Sequence, residues 1–279
     1  MKSTLALSLT SAHLLAEVRR PPARAGFARL RSLPVANGIS PVSAALEQAP
    51  RIELAVEMKP DALHFSLEEA VSRLRTTYEG PLKGLDLEVR LGMAHARIGL
   101  MTLDDMTATS LTSTARETYI AAWIPQMLHL DPQTQVVRWQ ILSDAHKVLI
   151  SCVDRAVFDE LQDFSHLHGL RFMSCRPAVL SAIEHGESAV GKSNATEPWT
   201  VVWTEAGAGA RRSSSVQLLR LRGRQLWATW RGWIPFSPHD DDTALEGAIR
   251  RFQVHHSAPA CESLKRQHWP SLATDERPA

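Results

Sequence analysis

Alternation of apolar and polar residues predicts that the chain opens with a β-hairpin. Leu5, Leu7 and Leu9 alternate with small or polar residues, a polar turn occupies 10–13, and an extended pattern resumes over 14–18. A period of two residues is typical of a strand with one buried face. Comparable patterns predict further strands at 27–35, 85–91, 95–103, 136–142, 147–153, 170–175, 199–204, 216–222 and 225–234.

Short polar or glycine-containing segments separate several of these strands and predict further hairpins. The strand at 95–103 follows 85–91 after three residues and is interpreted as its return strand. A turn around Gly223 joins the two strands that follow 215. Hairpins at both ends of the chain predict sheets that are at least partly antiparallel.

A helical period predicts a helix over 66–78. Ser66 and Glu69 match the capping-box pattern, in which a serine side chain and a glutamate three residues later satisfy the first backbone N–H groups. The apolar residues that would share the buried face of this helix are Leu67, Val71, Leu74 and Tyr78.

Residues that start and stop helices mark another helix over 155–168. Asp154 is a suitable N-cap, and Gly169 is a suitable residue at which to end the helix. Pro177 is expected at the first turn of the next helix, because proline is favoured there. Further helices are predicted at 112–130, 177–186 and 243–255.

The order of these elements predicts two related α/β lobes. The first lobe covers 1–186 and contains inserted strands and a helix. Residues 187–198 are polar and rich in Gly, Ser and Asn, as expected of a linker. The second lobe covers 199–256, and 257–279 lacks periodicity and is expected to be a disordered tail.

Composition excludes several classes of protein. The chain has 279 residues, 44% of them hydrophobic, and a net charge of +1, so no strong field would attract nucleic acid. Cys152, Cys175 and Cys261 lack C-x-x-C spacing, which argues against a zinc ribbon or a disulfide framework. The N-terminal pattern predicts a strand rather than a signal peptide, and no apolar run approaches the roughly 20 residues of a membrane-spanning helix. These features predict a cytoplasmic protein.

One segment matches a motif for phosphate binding. Residues 186–193 read GESAVGKS, which fits G-x-x-x-x-G-K-[ST] with Gly186, Gly191, Lys192 and Ser193 at the defined positions. Such a loop binds nucleotide phosphates only between a strand and a helix. Here a predicted helix precedes it and a polar stretch ending in a proline follows, so the segment is interpreted as a linker. Binding of ATP with Mg at this loop remains an alternative.

Metal and nucleophile patterns give no predicted catalytic site. The acidic run at 240–242 stands before a predicted helix, where carboxylates favour helix N-termini, so capping is the preferred interpretation. His255, His256, Cys261 and His268 match no closed zinc site. No G-x-S-x-G elbow is present, and the chain is not expected to use a metal.

Tryptophans cluster in the last third of the chain. Trp227, Trp230 and Trp233 lie in one predicted strand, with Trp199 and Trp203 in an earlier one. Alternation would point Trp227 and Trp233 to one face and Trp230 to the other, so at least one face is expected to pack into the core. An alternative is a peptide- or carbohydrate-binding module built on these rings.

The segment 147–186 resembles the actin-like assembly proteins of type IV pilus machines and the cytoplasmic part of the type II secretion L component. The resemblance lies in the order of an extended segment, a helix ending at Gly169-Leu170, a short strand, and a turn at 176–178. It extends less clearly to 199–233 and to the opening hairpin. It implies an α/β, actin-like (ribonuclease H-like) two-lobed fold, with mixed sheets built from hairpins and flanking helices.

Nucleotide sites of actin-like proteins have an acidic residue at the first hairpin turn and an Asp-x-Gly element at the second. In this chain the first turn, 8–11, has no carboxylate, and the second has Glu205 in place of aspartate, before Gly207. The resemblance implies that Thr10, Ser11, Glu205 and Gly207 line a vestigial pocket. Without the first carboxylate, magnesium-bound water loses an anchor.

Together these observations predict a non-catalytic scaffold or docking protein in a bacterial pilus or secretion assembly. Its expected partners are proteins of a membrane-associated assembly, and its expected location is the cytoplasm, including the periphery of the inner membrane. The main alternative is an ATPase that uses 186–193 or the degenerate actin-like loops. A tryptophan-based binding module is the third interpretation.

Overall fold

A computed structural model describes eleven stretches of the chain: 3–19, 52–58, 62–127, 131, 133–142, 146–180, 198–206, 213–222, 225–235, 241–256 and 263–269. Several predictions fall wholly or mostly outside the described residues. They include the strand at 27–35, the helix at 177–186 beyond residue 180, the phosphate-loop pattern at 186–193 with most of the linker, Gly207 and Cys261.

The described elements follow the predicted alternation of strands and helices. The strands are β1 (Thr4–Leu9), β2 (His13–Arg19), β3 (Ile52–Glu57), β4 (Asp86–Leu91), β5 (Ala96–Thr102), β6 (Gln135–Ile141), β7 (Lys147–Asp154), β8 (Arg171–Pro177), β9 (Pro198–Ala206), β10 (Ser213–Arg222), β11 (Gln225–Pro235) and β12 (Ser263–Trp269). The helices are α1 (Leu63–Thr77), α2 (Asp105–Ser110), α3 (Ser113–Met127), α4 (Arg155–Leu167) and α5 (Asp241–His255).

The first sheet has five strands in the order β3-β2-β1-β4-β8. β1 pairs antiparallel with β2, which confirms the opening hairpin, and pairs parallel with β4. Helices α1 and α4 pack on this sheet and share one apolar core with it. The predicted buried face of α1 is confirmed, since Leu67, Val71, Leu74 and Tyr78 are all buried.

The capping box predicted for α1 is wrong. The helix begins at Leu63, one turn earlier than predicted, with Ala62 as its N-cap and no side-chain capping bond. Ser66 therefore lies inside the helix, where its hydroxyl donates to the Glu57 carbonyl at 3.4 Å. Packing of the helix against β3 decides the start here, rather than the local capping pattern.

The cap and stop signals of α4 are confirmed, whereas the role expected of Pro177 is wrong. The Asp154 carboxylate accepts from the Ala156 N–H at 3.0 Å, and Gly169 has a φ of +62° just after the helix. Pro177 is the last residue of β8, paired with Leu91, rather than the start of a helix. An edge strand tolerates proline because one side of its backbone needs no partner.

A three-stranded sheet, β5-β7-β6, forms an inserted unit with α2 and α3. The predicted hairpin between 85–91 and 95–103 is therefore wrong: β5 pairs with β7, and β4 pairs with β1 and β8. Both strands alternate as expected, but alternation does not specify the partner strand.

The second sheet repeats the topology of the first. Its order β11-β10-β9-β12 matches β3-β2-β1-β4, with the same antiparallel and parallel pairings. A helix precedes the parallel strand in both lobes, α1 before β4 and α5 before β12. The disordered tail expected at 257–279 is corrected in part, because 263–269 is β12, whose seven residues pair with β9.

An apolar core joins the two lobes. Met93, Ile98 and Val179 of the first lobe pack against one face of the second sheet. The opposite face of that sheet packs against α5, with Ile249 and Phe252 in its core. No helix among the described residues is long and apolar enough to cross a membrane.

Candidate functional site

The candidate site is the junction between the lobes at which the turn after β1, the segment after β4 and the end of β9 meet, and we call this junction the cleft. Thr10 shapes the turn, because its Oγ1 accepts from the backbone N–H groups of Ala12 (3.0 Å) and His13 (2.7 Å) and donates to the His13 carbonyl (3.1 Å). Thr10 is buried, and its hydroxyl makes three bonds within the turn. The turn is therefore a fixed wall of the cleft.

Glu205 reaches into this cleft from β9. Its side chain is only 2% exposed, and Oε2 accepts from the Met93 backbone N–H at 2.5 Å. Burial raises the pKa of Glu205 to about 7, while hydrogen bonds from the Met93 and Ser11 backbones and the nearby charge of Arg231 oppose that rise. Glu205 thus links the second lobe to both loops of the first.

Arg231 of β11 binds the same residue, Met93, at its other backbone polar group. Its Nη2 donates to the Met93 carbonyl oxygen. The second lobe therefore binds both polar groups of one residue, the N–H through Glu205 and the carbonyl through Arg231. We call this arrangement the Met93 clamp. Burial and the charge of Arg97 lower the pKa of Arg231, and Glu205 opposes that shift.

Gly92 makes room for the Glu205 carboxylate. A Cβ at Gly92 would overlap the Glu205 carboxylate, so a side chain here would displace it. The Gly92 N–H donates to the Leu9 carbonyl at 2.6 Å, which continues the β1–β4 pairing into the cleft. Glycine at this position permits the close approach of Glu205.

A half-buried histidine completes the first-lobe side of the cleft. His95 Nε2 lies 3.3 Å from the Thr10 carbonyl oxygen. Burial lowers the pKa of His95, against the effects of the Thr10 carbonyl and Asp154. The ring is therefore neutral near pH 7 and adds no positive charge to the cleft.

The structure brings together three of the four residues expected to line a vestigial pocket, namely Thr10, Ser11 and Glu205. Four further participants, Gly92, Met93, His95 and Arg231, are not predicted from the sequence. Gly92 directly follows a strictly alternating strand, a signal that could have marked a close approach of backbone and side chain. Arg231 has no such signal, because an arginine in an amphipathic strand is usually exposed.

The predicted tryptophan cluster is divided among different environments. Trp199 and Trp203 are buried in the interlobe core, so they offer no surface for stacking. Trp227 is 42% exposed and occupies a β-bulge, with Lys147 Nζ 4.2 Å from its ring centroid. Trp230 lies beside α5 instead. For Trp233 the structure describes the backbone pairing with Ser215 only.

Other reactive groups in the described part of the chain are poorly suited to catalysis. Burial raises the pKa of Cys152 to about 11 and that of Cys175 to about 12, so both thiols are protonated at neutral pH. Among the described residues no three His, Cys, Asp or Glu side chains are grouped to hold a metal ion.

Comparison with known proteins identifies the fold. No protein-family model and no curated protein matches the sequence. A Bacteroides thetaiotaomicron protein with an actin-like ATPase fold and unknown function matches 99% of this chain and 84% of its own, at 11% identity and a TM-score of 0.53.

Two assembly proteins are also similar in structure. The PilM-PilN type IV pilus biogenesis complex matches over 91% of this chain and 71% of the other, at 12% identity and a TM-score of 0.50. The cytoplasmic domain of EpsL, an inner membrane component of the Vibrio cholerae type II secretion system, matches over 95% of this chain and 82% of its own. The sequence identity is 11% and the TM-score is 0.48. The repeated sheet order and the first two matches agree: the chain has the α/β, actin-like fold expected from its sequence.

Proposed function

We propose that this chain is a non-catalytic scaffold of the actin-like fold that docks other proteins in a bacterial pilus or secretion assembly. The observation that supports this most directly is the Glu205 carboxylate in the interlobe cleft. Backbone N–H groups in such a cleft are suitable donors for phosphate oxygens. Here the Ser11 and Met93 donors already bind the Glu205 carboxyl group of the protein itself.

A nucleotide would meet two obstacles in this cleft. Its phosphates would have to displace a buried carboxylate and would suffer its charge repulsion wherever Glu205 is ionised. Magnesium would also lack a carboxylate on the first turn, where Thr10 uses its hydroxyl within the turn. Both features indicate that the cleft holds the lobes together and does not hydrolyse ATP.

The interlobe core supports the same interpretation. Met93 inserts its side chain among Trp199, Trp203 and other apolar residues of the second lobe, while its backbone is clamped. Opening the cleft would expose this apolar surface at a cost of roughly 25 cal/mol per Å². A protein that keeps its lobes closed presents a constant surface to partners, as a scaffold requires.

The proposed setting follows the structural match to a protein of a type IV pilus biogenesis complex. A chain with the same fold could occupy a corresponding place on the cytoplasmic side of such an assembly, at the periphery of the inner membrane. Fold similarity at this level does not specify a partner. The proposal therefore needs separate tests of nucleotide binding and of partner binding.

Isothermal titration with Mg-ATP tests the non-catalytic part of the proposal. We expect no saturable binding at micromolar nucleotide, because the cleft donors are occupied. Micromolar binding that Lys192→Ala abolishes would contradict the proposal in favour of the phosphate-loop pattern. Binding that Glu205→Ala abolishes would contradict it in favour of an actin-like site. The matched control is Lys83→Ala, because Lys83 lies beside Gly169 and outside both candidate nucleotide sites.

Crosslinking in the native cell, followed by affinity capture, tests the scaffold part. We expect the chain to be recovered with components of a membrane-associated pilus or secretion assembly. Recovery without any such component, under conditions that capture a known member of that assembly, would contradict the proposal. This result is independent of the nucleotide titration, so the scaffold part and the non-catalytic part of the proposal can each be contradicted separately.

The clamp also predicts a pH dependence of stability. Between the unfolded pKa of 4.5 and the folded pKa of about 7, the folded state binds more protons at Glu205 than the unfolded state. This contribution to the free energy of unfolding is complete below pH 4.5, falls as the pH rises to about 7, and is then lost. Glu205→Gln removes the titration but keeps an oxygen that can accept from Met93.

Urea denaturation from pH 5 to pH 8 measures this effect. From pH 5 to pH 8 the free energy of unfolding of Glu205→Gln should rise relative to that of wild type by on the order of 3 kcal/mol. Most of this relative rise should occur below pH 7. A stability difference that is constant across this range would contradict the assignment of a buried, titrating Glu205.

A further inference from the structure

A groove lies on the second lobe between β11 and α5, on the face of the sheet that points away from the interlobe core. Its volume is about 560 Å³. The lining residues of α5 are spaced three, four and seven apart at Ala248, Arg251, Phe252 and His255, so one face of the helix forms one wall. Trp230 of β11 contributes to the other wall.

The deep part of these two walls, which we call the floor of the groove, is apolar and contains an exposed aromatic ring. Ala248 and Phe252 are buried, whereas Trp230 is 38% exposed. The Trp230 ring lies over Gly232, at which a Cβ would overlap it. Glycine therefore lets the ring lie along the strand, where one of its faces can receive an apolar side chain.

The rim of the groove is cationic. Arg251 and His255 are exposed, and the His255 and His256 rings lie 4.8 Å apart between centroids. Arg220 donates to the His256 carbonyl and adds a further positive charge. Burial, then His255 and Arg220, lower the pKa of His256, so the positive charge of the rim comes from Arg251 and Arg220. No acidic side chain of the described residues lines this groove.

We propose that this groove docks a short acidic segment of a partner protein, with one aromatic or aliphatic side chain beside Trp230 and carboxylates facing Arg251 and His255. Charge complementarity selects the acidic flanks, and the apolar floor selects the anchoring side chain. The inference rests on the scaffold role proposed above and adds the chemistry of the partner.

The neighbouring strand edge favours an extended segment. Within the described residues β11 pairs only with β10, so its other edge faces away from the sheet. An extended peptide can add to such an edge through main-chain hydrogen bonds while one side chain fills an adjacent pocket. A concave groove with one anchoring position suits a peptide better than a lipid surface, which contacts protruding apolar residues.

Selection from a displayed library of random peptides tests the proposal. Peptides are selected on the wild-type chain, and their affinities are then measured for single variants. We expect enrichment of Asp and Glu around one aromatic or aliphatic residue. Arg251→Glu and Trp230→Ala should each weaken the selected peptides at least ~10-fold, which corresponds to about 1.4 kcal/mol.

Matched controls come from the same elements. Arg250 is also exposed but lines the other flank of α5 with Glu246, and Trp227 is equally exposed but contacts Lys147. Arg250→Glu and Trp227→Ala should change the affinity less than ~3-fold. Circular dichroism and thermal melting confirm that all four variants fold.

Three results would overturn the proposal. The first is selection of peptides without acidic enrichment. The second is that Arg250→Glu and Arg251→Glu weaken peptide binding equally. The third is Arg251-dependent binding to phosphatidylserine vesicles with no binding to any peptide. If the peptide test fails and Mg-ATP does not bind, only the inference about the groove is contradicted. If Mg-ATP binds and peptide binding still depends on the groove, the proposed function is contradicted and the inference about the groove stands.

Discussion

The two hydrogen bonds that the second lobe makes to the backbone of Met93 fix how the lobes sit together. Glu205 binds the N–H and Arg231 binds the carbonyl, while the Met93 side chain enters the interlobe core. Burying a carboxylate and a guanidinium is costly unless both find partners. Met93 supplies a partner to each of them, and the Ser11 backbone supplies another to Glu205, so polar and apolar contacts reinforce each other at Met93.

The repeated topology explains why the clamp forms where it does. β1 and β9 are the equivalent central strands of their sheets, and each is flanked by one antiparallel and one parallel neighbour. The turn at Thr10 directly follows β1, and Glu205 lies near the end of β9. The fold therefore directs equivalent ends of two related sheets toward one cleft. In this chain the residues there hold the lobes together.

The sequence predicts the elements better than their partners. Alternation at Leu5–Leu9 and the Asp154 and Gly169 signals depend on local chemistry, so hairpin and helix limits could be inferred. Pairing of β5 with β7 and the strand at 263–269 depend on contacts distant in sequence, which periodicity does not encode. Glu205 was recognised as a site residue, but its role as an internal ligand depends on the missing Cβ of Gly92.

Amide hydrogen exchange at Met93, measured by NMR, reports directly whether Glu205 holds this N–H and keeps the lobes closed. We expect strong protection of this amide in the wild-type chain, no change on addition of Mg-ATP, and rapid exchange in Glu205→Ala. Rapid exchange in the wild-type chain, or a rate that Mg-ATP alters, would show that the cleft opens and would contradict the account.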